Sequence, residues 1–160
     1  MRLSGRIIVF LGSAAVSLFV AAVALAQDRL GVGATAGQAY VVVYRTGRHR
    51  DPAMIKPSVY CDDKDVALMY AKHFFTINLA PGKHRISSSD EHTVVSLDAE
   101  SGATYYVRIS VVRGKWVNNT FKVEQVDAAT AQTELAPLKP AEPKHVNAPD
   151  IVSFGAIPGK

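Results

Sequence analysis

The sequence predicts an all-β fold, an antiparallel β-sandwich of about eight strands with one short C-terminal helix. Three observations predict it. Short stretches alternate apolar and polar side chains, as in residues 75–79, where Phe75, Ile77 and Leu79 interleave with Thr76 and Asn78. Turn residues separate those stretches at regular intervals: Asp62-Asp63, Pro81-Gly82, Ser101-Gly102 and Arg113-Gly114. No alternation of strand and helix supports a parallel sheet.

The chain of 160 residues is long enough for one domain with a real core. Residues 1–26 read as a secretory signal peptide. Arg2 and Arg6 make a basic start, residues 7–22 are apolar, and Ala24-Leu25-Ala26 offers a small–x–small cleavage site before Gln27. The apolar run is short for a membrane span, which needs about 20 residues. The competing reading is an uncleaved N-terminal anchor. No cysteine lies near the cleavage point to accept a lipid. The expected compartment is the periplasm or the exterior, with no transmembrane segment after cleavage.

Cleavage removes two of the 18 basic side chains and none of the 14 acidic ones, halving the formal charge of +4. That small excess, without a basic stripe or a known motif, argues against nucleic acid. Residues 27–38 are rich in Gly and Ala without periodicity and read as a linker.

The sandwich domain is expected over residues 39–136. Residues 39–45 form a first strand, apolar on both faces and hence central or covered on both sides. The loop after it carries Arg48, His49, Arg50 and Lys56, with Arg45 just before, the densest cationic stretch of the chain. It reads either as a solvated loop or as a site for an anion or acidic partner. Residues 58–61 and 66–70 are two short strands around the Asp62-Asp63-Lys64 turn. Residues 74–88 read as a hairpin that pairs Ile77 with Ile86 across Pro81-Gly82. Residues 93–97 pair next with residues 104–112, setting Leu97 against Tyr105. On that long strand Tyr105, Val107, Ile109 and Val111 face inward, and Tyr106, Arg108, Ser110 and Val112 outward. Residues 116–124 return as the last strand, with Val112 opposite Trp116.

Asp127 is a fitting N-cap for a helix over residues 127–135, too short to stand without docking. Five of the eight prolines fall in residues 137–160, so that stretch reads as an extended, mostly disordered tail. Ile151, Val152 and Phe154 form its one apolar island.

Four stretches taken together, AYVVVYRTGR, SVYCDDKDVALM, FFTINLAPGKHRISS and LDAESGATYYVRISV, resemble the bacterial domain-of-unknown-function family 2846. The matching positions are Tyr44-Arg45, the strand and turn from Val59 to Asp63, the Pro81-Gly82-Lys83-His84 turn, and the Gly102 to Arg108 strand. Asp63 stands where the family pattern has a turn glycine. The resemblance covers roughly residues 38–135 and implies a small exported or lipid-anchored envelope protein. The fold it implies is immunoglobulin-like or transthyretin-like. It implies no catalytic residues.

The residues themselves carry little chemistry. His49, His73, His84, His92 and His145 lack metal-ligand spacing; only His73, His84 and His92 come near the same turn. Ser87-Ser88-Ser89 with Asp90 and His92 has the residue types of a triad, but strand neighbours point to opposite faces. The single cysteine, Cys61, shares the inward parity of Val59 and is expected to be buried, with Asp62 and Asp63 opposing thiolate formation. No catalytic residue, metal ligand or cofactor is therefore assigned. The candidate binding surface is Tyr106, Arg108 and Trp116, together with Arg45, Arg48 and Arg50. The same aromatic face could instead receive the C-terminal helix. The expected function is a non-enzymatic envelope binding or structural module whose partner is an envelope protein. The alternative is a carbohydrate or peptidoglycan binder using Tyr106, Arg108 and Trp116, and a third, less favoured reading is an enzyme or metal protein built on the histidines.

Overall fold

The computed structural model describes residues 37–47, 55–89, 93–113, 119–155 and 157. The expected signal peptide and most of the expected linker, together with His49, His92, Trp116, Arg48 and Arg50, lie outside the described residues.

The chain folds as two β-sheets packed face to face. The first strand, β1 (Ala39–Arg45), is buried at every position. It lies between β4 (His73–Leu79) and β7 (Thr104–Arg113), antiparallel to β4 and parallel to β7. That parallel pair is the one long departure from the expected antiparallel order. β7 then pairs with β8 (Asn119–Val126) at the sheet edge. The second sheet runs β3 (Lys64–Leu68), β2 (Ser58–Cys61), β5 (Gly82–Ser88), β6 (Val94–Ala99).

The two faces of β1 explain its unbroken apolar run. Val41 and Val43 share the inter-sheet core with Phe75, Ile77, Ile86, Leu97, Val107 and Ile109. Val42 and Tyr44 face the other way and join Phe74 and Tyr106 beneath a helix, α1 (Ala128–Leu135). Asp127 caps α1 by accepting from the Thr130 amide, and Ala131 and Leu135 are its buried residues. Burying a leucine contributes about 2 kcal/mol, which a helix of eight residues needs in order to persist.

Three expected pairings are corrected. β4 and β5 do not form a hairpin: the chain turns at Ala80-Pro81 and crosses from one sheet to the other. Ile77 and Ile86 both reach the core, but from facing sheets. Gly82, with φ 139°, supplies the backbone that this crossing needs. β6 and β7 also belong to different sheets, so Leu97 does not pair with Tyr105. Val112 pairs with Thr120 and not Trp116, so the last loop is longer than expected. By contrast, β2 and β3 do form the expected hairpin, through Asp62 (φ 49°) and Asp63 (φ 65°). The two left-handed residues suit a tight turn, and aspartate tolerates that conformation.

The stretch expected as a disordered tail is part of the sandwich. Strand β9 (Lys139–Pro140) pairs with β4, a 3₁₀ turn follows at Pro143–His145, and β10 (Val152–Ser153) returns to β4. Between them Val146 bridges to Ala67 on β3, and the amides of Asn147 and Ala148 donate to Val66. The segment thus straps the β4 edge of one sheet to the β3 edge of the other. Ala141, Ala148 and Val152 enter the core. Its prolines sit where a missing N–H does no harm: Pro140 in an edge strand, Pro143 at the start of the 3₁₀ turn.

Candidate functional site

The expected Tyr106–Arg108 patch is not open. Tyr106 is only 8 % exposed, because α1 covers it. Arg108 donates from Nε and Nη2 to Glu124 Oε1, at 3.0 and 2.8 Å, and from Nη1 to Glu134 Oε1 on α1. The Tyr44 hydroxyl donates to the other Glu134 oxygen at 2.7 Å. Lys122 and Arg108 together hold the Glu124 carboxyl below its ordinary range, with the Lys122 bond the larger cause. Burial, then the Glu134 bond and charge, push the Tyr44 phenol well up. The arrangement is a clamp that fastens the helix to the sheet.

Arg45 is also buried. It has the inward parity of Val41 and Val43, and Nη1 donates to the Ile55 carbonyl at 2.6 Å. Its place on the expected binding surface is therefore withdrawn. Cations from distant stretches nevertheless converge at this end of the sandwich. His73 lies opposite Arg45 in one register and opposite Lys139 in the next. The Lys72 amide donates to the Arg45 carbonyl, and the Lys139 amide to the Lys72 carbonyl. Tyr70 stacks on His145 at 3.9 Å, meets His73 edge-on at 6.1 Å, and carries the Lys56 ammonium 4.4 Å from its ring centre. Lys56, Lys72, Lys139 and Lys144 are all exposed. His145 is pulled below its ordinary value by burial and by Lys144, with Glu142 the acid that opposes them. Glu142 itself pairs with Lys144 at 2.6 Å.

The opposite end of the sandwich, where Ala39 pairs with Leu79, holds a different group. His84, just past the sheet-crossing turn, reaches back to β2. Its Nδ1 lies 2.6 Å from Asp62 Oδ2, and its Nε2 donates to the Ala80 carbonyl at 2.8 Å. The second Asp62 oxygen accepts from the Arg85 amide at 2.8 Å. Burial lowers the His84 pKa, but the Asp62 bond, the Ala80 carbonyl and the Asp62 charge outweigh it and raise it overall. For Asp62, burial is again opposed, and the His84 and Arg85 bonds bring its carboxyl down. Cys61 is 3 % exposed, and burial with the Asp62 charge pushes its thiol up to about 12. A cleft of about 550 Å³ opens beside them, lined by Asp62, Lys83, His84, Arg85, Ser96, Leu97 and Asp98.

His73 and His84 do not approach each other, since they lie at opposite ends of the molecule. His84 meets Asp62 and Cys61 instead, a grouping the sequence reading missed. Its trace was in the sequence all the same: Asp62 and His84 both belong to the motifs that carried the family resemblance.

A profile of the family described as "Protein of unknown function (DUF2846)" matches residues 35–125. The chain belongs to the DUF2846 family. The match takes in β1 to β7 and nearly all of β8, and so both sheets of this DUF2846 protein. It stops short of α1 and of the strap. No curated protein and no solved structure matches the chain. Among the described residues no helix is long and apolar enough to cross a membrane.

Proposed function

We propose that this DUF2846 protein is an exported cell-envelope component that acts without catalysis, holding an acidic face of a partner protein at its cationic end. The observation that carries the binding half is the gathering of exposed lysines at the Arg45 end: Lys56 and Lys144 beside the Tyr70–His145 stack, and Lys72 and Lys139 joined to each other and to Arg45 through backbone bonds. Like charges gathered on one face repel each other, and an anionic partner relieves that repulsion. The export half rests on the signal-like pattern of residues 1–26.

Cell fractionation with mass analysis of the N-terminus tests the export half. The expected result is periplasmic or secreted protein beginning at Gln27; a cytoplasmic chain starting at Met1 overturns it. Cross-linking in intact cells tests the binding half. A protein partner captured by the wild type and lost in Lys72→Glu/Lys139→Glu/Lys144→Glu supports the reading. A partner that survives the triple reversal refutes it, and binding of cell-wall fragments in its place would favour the glycan alternative.

A further inference from the structure

We propose that Cys61 Sγ, Asp62 Oδ2 and His84 Nδ1 form a site for a divalent transition-metal ion of the zinc class, with its fourth position open to the adjoining cleft. These three atoms lie within 4.8 Å of one another. Thiolate, imidazole and carboxylate together suit zinc, whereas calcium and magnesium take oxygen ligands almost alone.

The second hydrogen-bonding atom of each polar ligand is already committed elsewhere. His84 Nε2 donates to the Ala80 carbonyl, which leaves Nδ1 as the ligating nitrogen. Asp62 Oδ1 accepts from the Arg85 amide, which leaves Oδ2 facing His84 Nδ1 and Cys61 Sγ. Backbone groups that fix the far side of a ligand in this way are the usual outer support of a metal centre. They come from two separate segments, the sheet-crossing turn and β5, so the arrangement does not depend on the cluster alone.

The distances need only small adjustments. Ligand atoms around a tetrahedral zinc stand about 3.3 to 3.5 Å apart, given bonds of about 2.0 Å to nitrogen or oxygen and 2.3 Å to sulfur. Nδ1 and Oδ2 are 2.6 Å apart, and Sγ and Oδ2 are 3.9 Å apart. The first pair must open and the second close, each by well under 1 Å, and the Nδ1–Sγ pair, which lies within 4.8 Å, must close to about 3.5 Å, within reach of side-chain torsions. Cys61 lies deep, while the Asp62 side chain is 49 % exposed, so the open position faces the cleft and not the core. Lys83 and Arg85 line that cleft, which would suit water or an anionic group as the fourth ligand.

The test is titration of the full chain, reduced and stripped of metal, with cobalt(II) alone and then with zinc(II) as competitor. Cys61 is the only cysteine, so a thiolate-to-cobalt charge-transfer band can come from nowhere else. The expected result is that band saturating at one equivalent, with visible bands of tetrahedral intensity, and loss of both on adding zinc. Cys61→Val should keep the fold and weaken zinc binding about 100-fold or more, and Asp62→Asn and His84→Gln should each weaken it at least 10-fold. Absence of the band in the wild type overturns the proposal, as does zinc affinity unchanged by Cys61→Val. The wild-type spectrum decides the matter even if a variant fails to fold. The assay uses no partner and no cell fraction, so it stands or falls separately from the proposed envelope function.

Discussion

Tyr44 shows how one hydroxyl couples the two layers of the fold. Its ring is fully buried beneath α1 while its oxygen holds Glu134, which also takes Arg108. Tyr44→Phe should keep the ring's packing and lose the bond to a charged acceptor, a loss of about 1.5 kcal/mol in a denaturant titration. The same residue sets a pH dependence. Its phenol is raised in the folded state above its ordinary value near 10, so its contribution is fully present below that pH. The contribution is lost as pH rises toward the folded value, because the unfolded chain then gives up the proton more readily. Thermal melts from pH 9 upward should fall more steeply for the wild type than for Tyr44→Phe. Parallel curves would mean that the phenol is not perturbed. Ile77 gives a plain packing test: it is fully buried between the sheets, and Ile77→Ala should cost about 3 kcal/mol by the same measurement.

At the level of elements, the strap of residues 139–153 covers β4, which would otherwise be an exposed edge. Removing residues 139–160 should lower the melting temperature sharply and promote association through that edge, seen as higher-order species by light scattering. A disordered tail would come off without either effect. The strap was hidden from sequence reading because each of its contacts is short: two residues pair at β9, two at β10, and one forms a bridge. Proline richness then outweighed three small buried side chains. The strands themselves were legible, since alternation states which face a side chain presents. It does not state which strand lies alongside. Ile77 and Ile86 satisfy the same inward phase in a hairpin or across a sandwich, and alternation alone does not choose between the two. The Tyr106–Arg108 face had the right phase for the same reason. Its occupant was settled by Glu134, whose two oxygens reach Tyr44 and Arg108.

Across the described residues as a whole, the two ends of β1 mark two poles of different character. Lys56, Lys72, Lys139 and Lys144 gather near Arg45, while Asp62, Asp63, Asp98 and Asp150 stand toward the Ala39 end among Lys64, Lys83 and Arg85. Sequence charge alone could not show this, because the lysines of the cationic pole are spread over nearly ninety positions and the net excess is small. A polarised molecule should meet an anionic surface by one end, steered over distances of about a Debye length, roughly 8 Å at physiological salt. Retention on immobilised polyglutamate tests this against bulk charge. Lys72→Glu/Lys139→Glu/Lys144→Glu and Lys64→Glu/Lys83→Glu/Arg85→Glu change the net charge by the same amount at opposite poles. The first variant should elute at markedly lower salt than the wild type and the second close to it. Both should keep the wild-type melting temperature within a few degrees, because exposed ion pairs such as Lys64–Asp150 contribute little to stability. Equal shifts for the two variants would mean that net charge governs the interaction, and that the clustering of lysines at the Arg45 end does not.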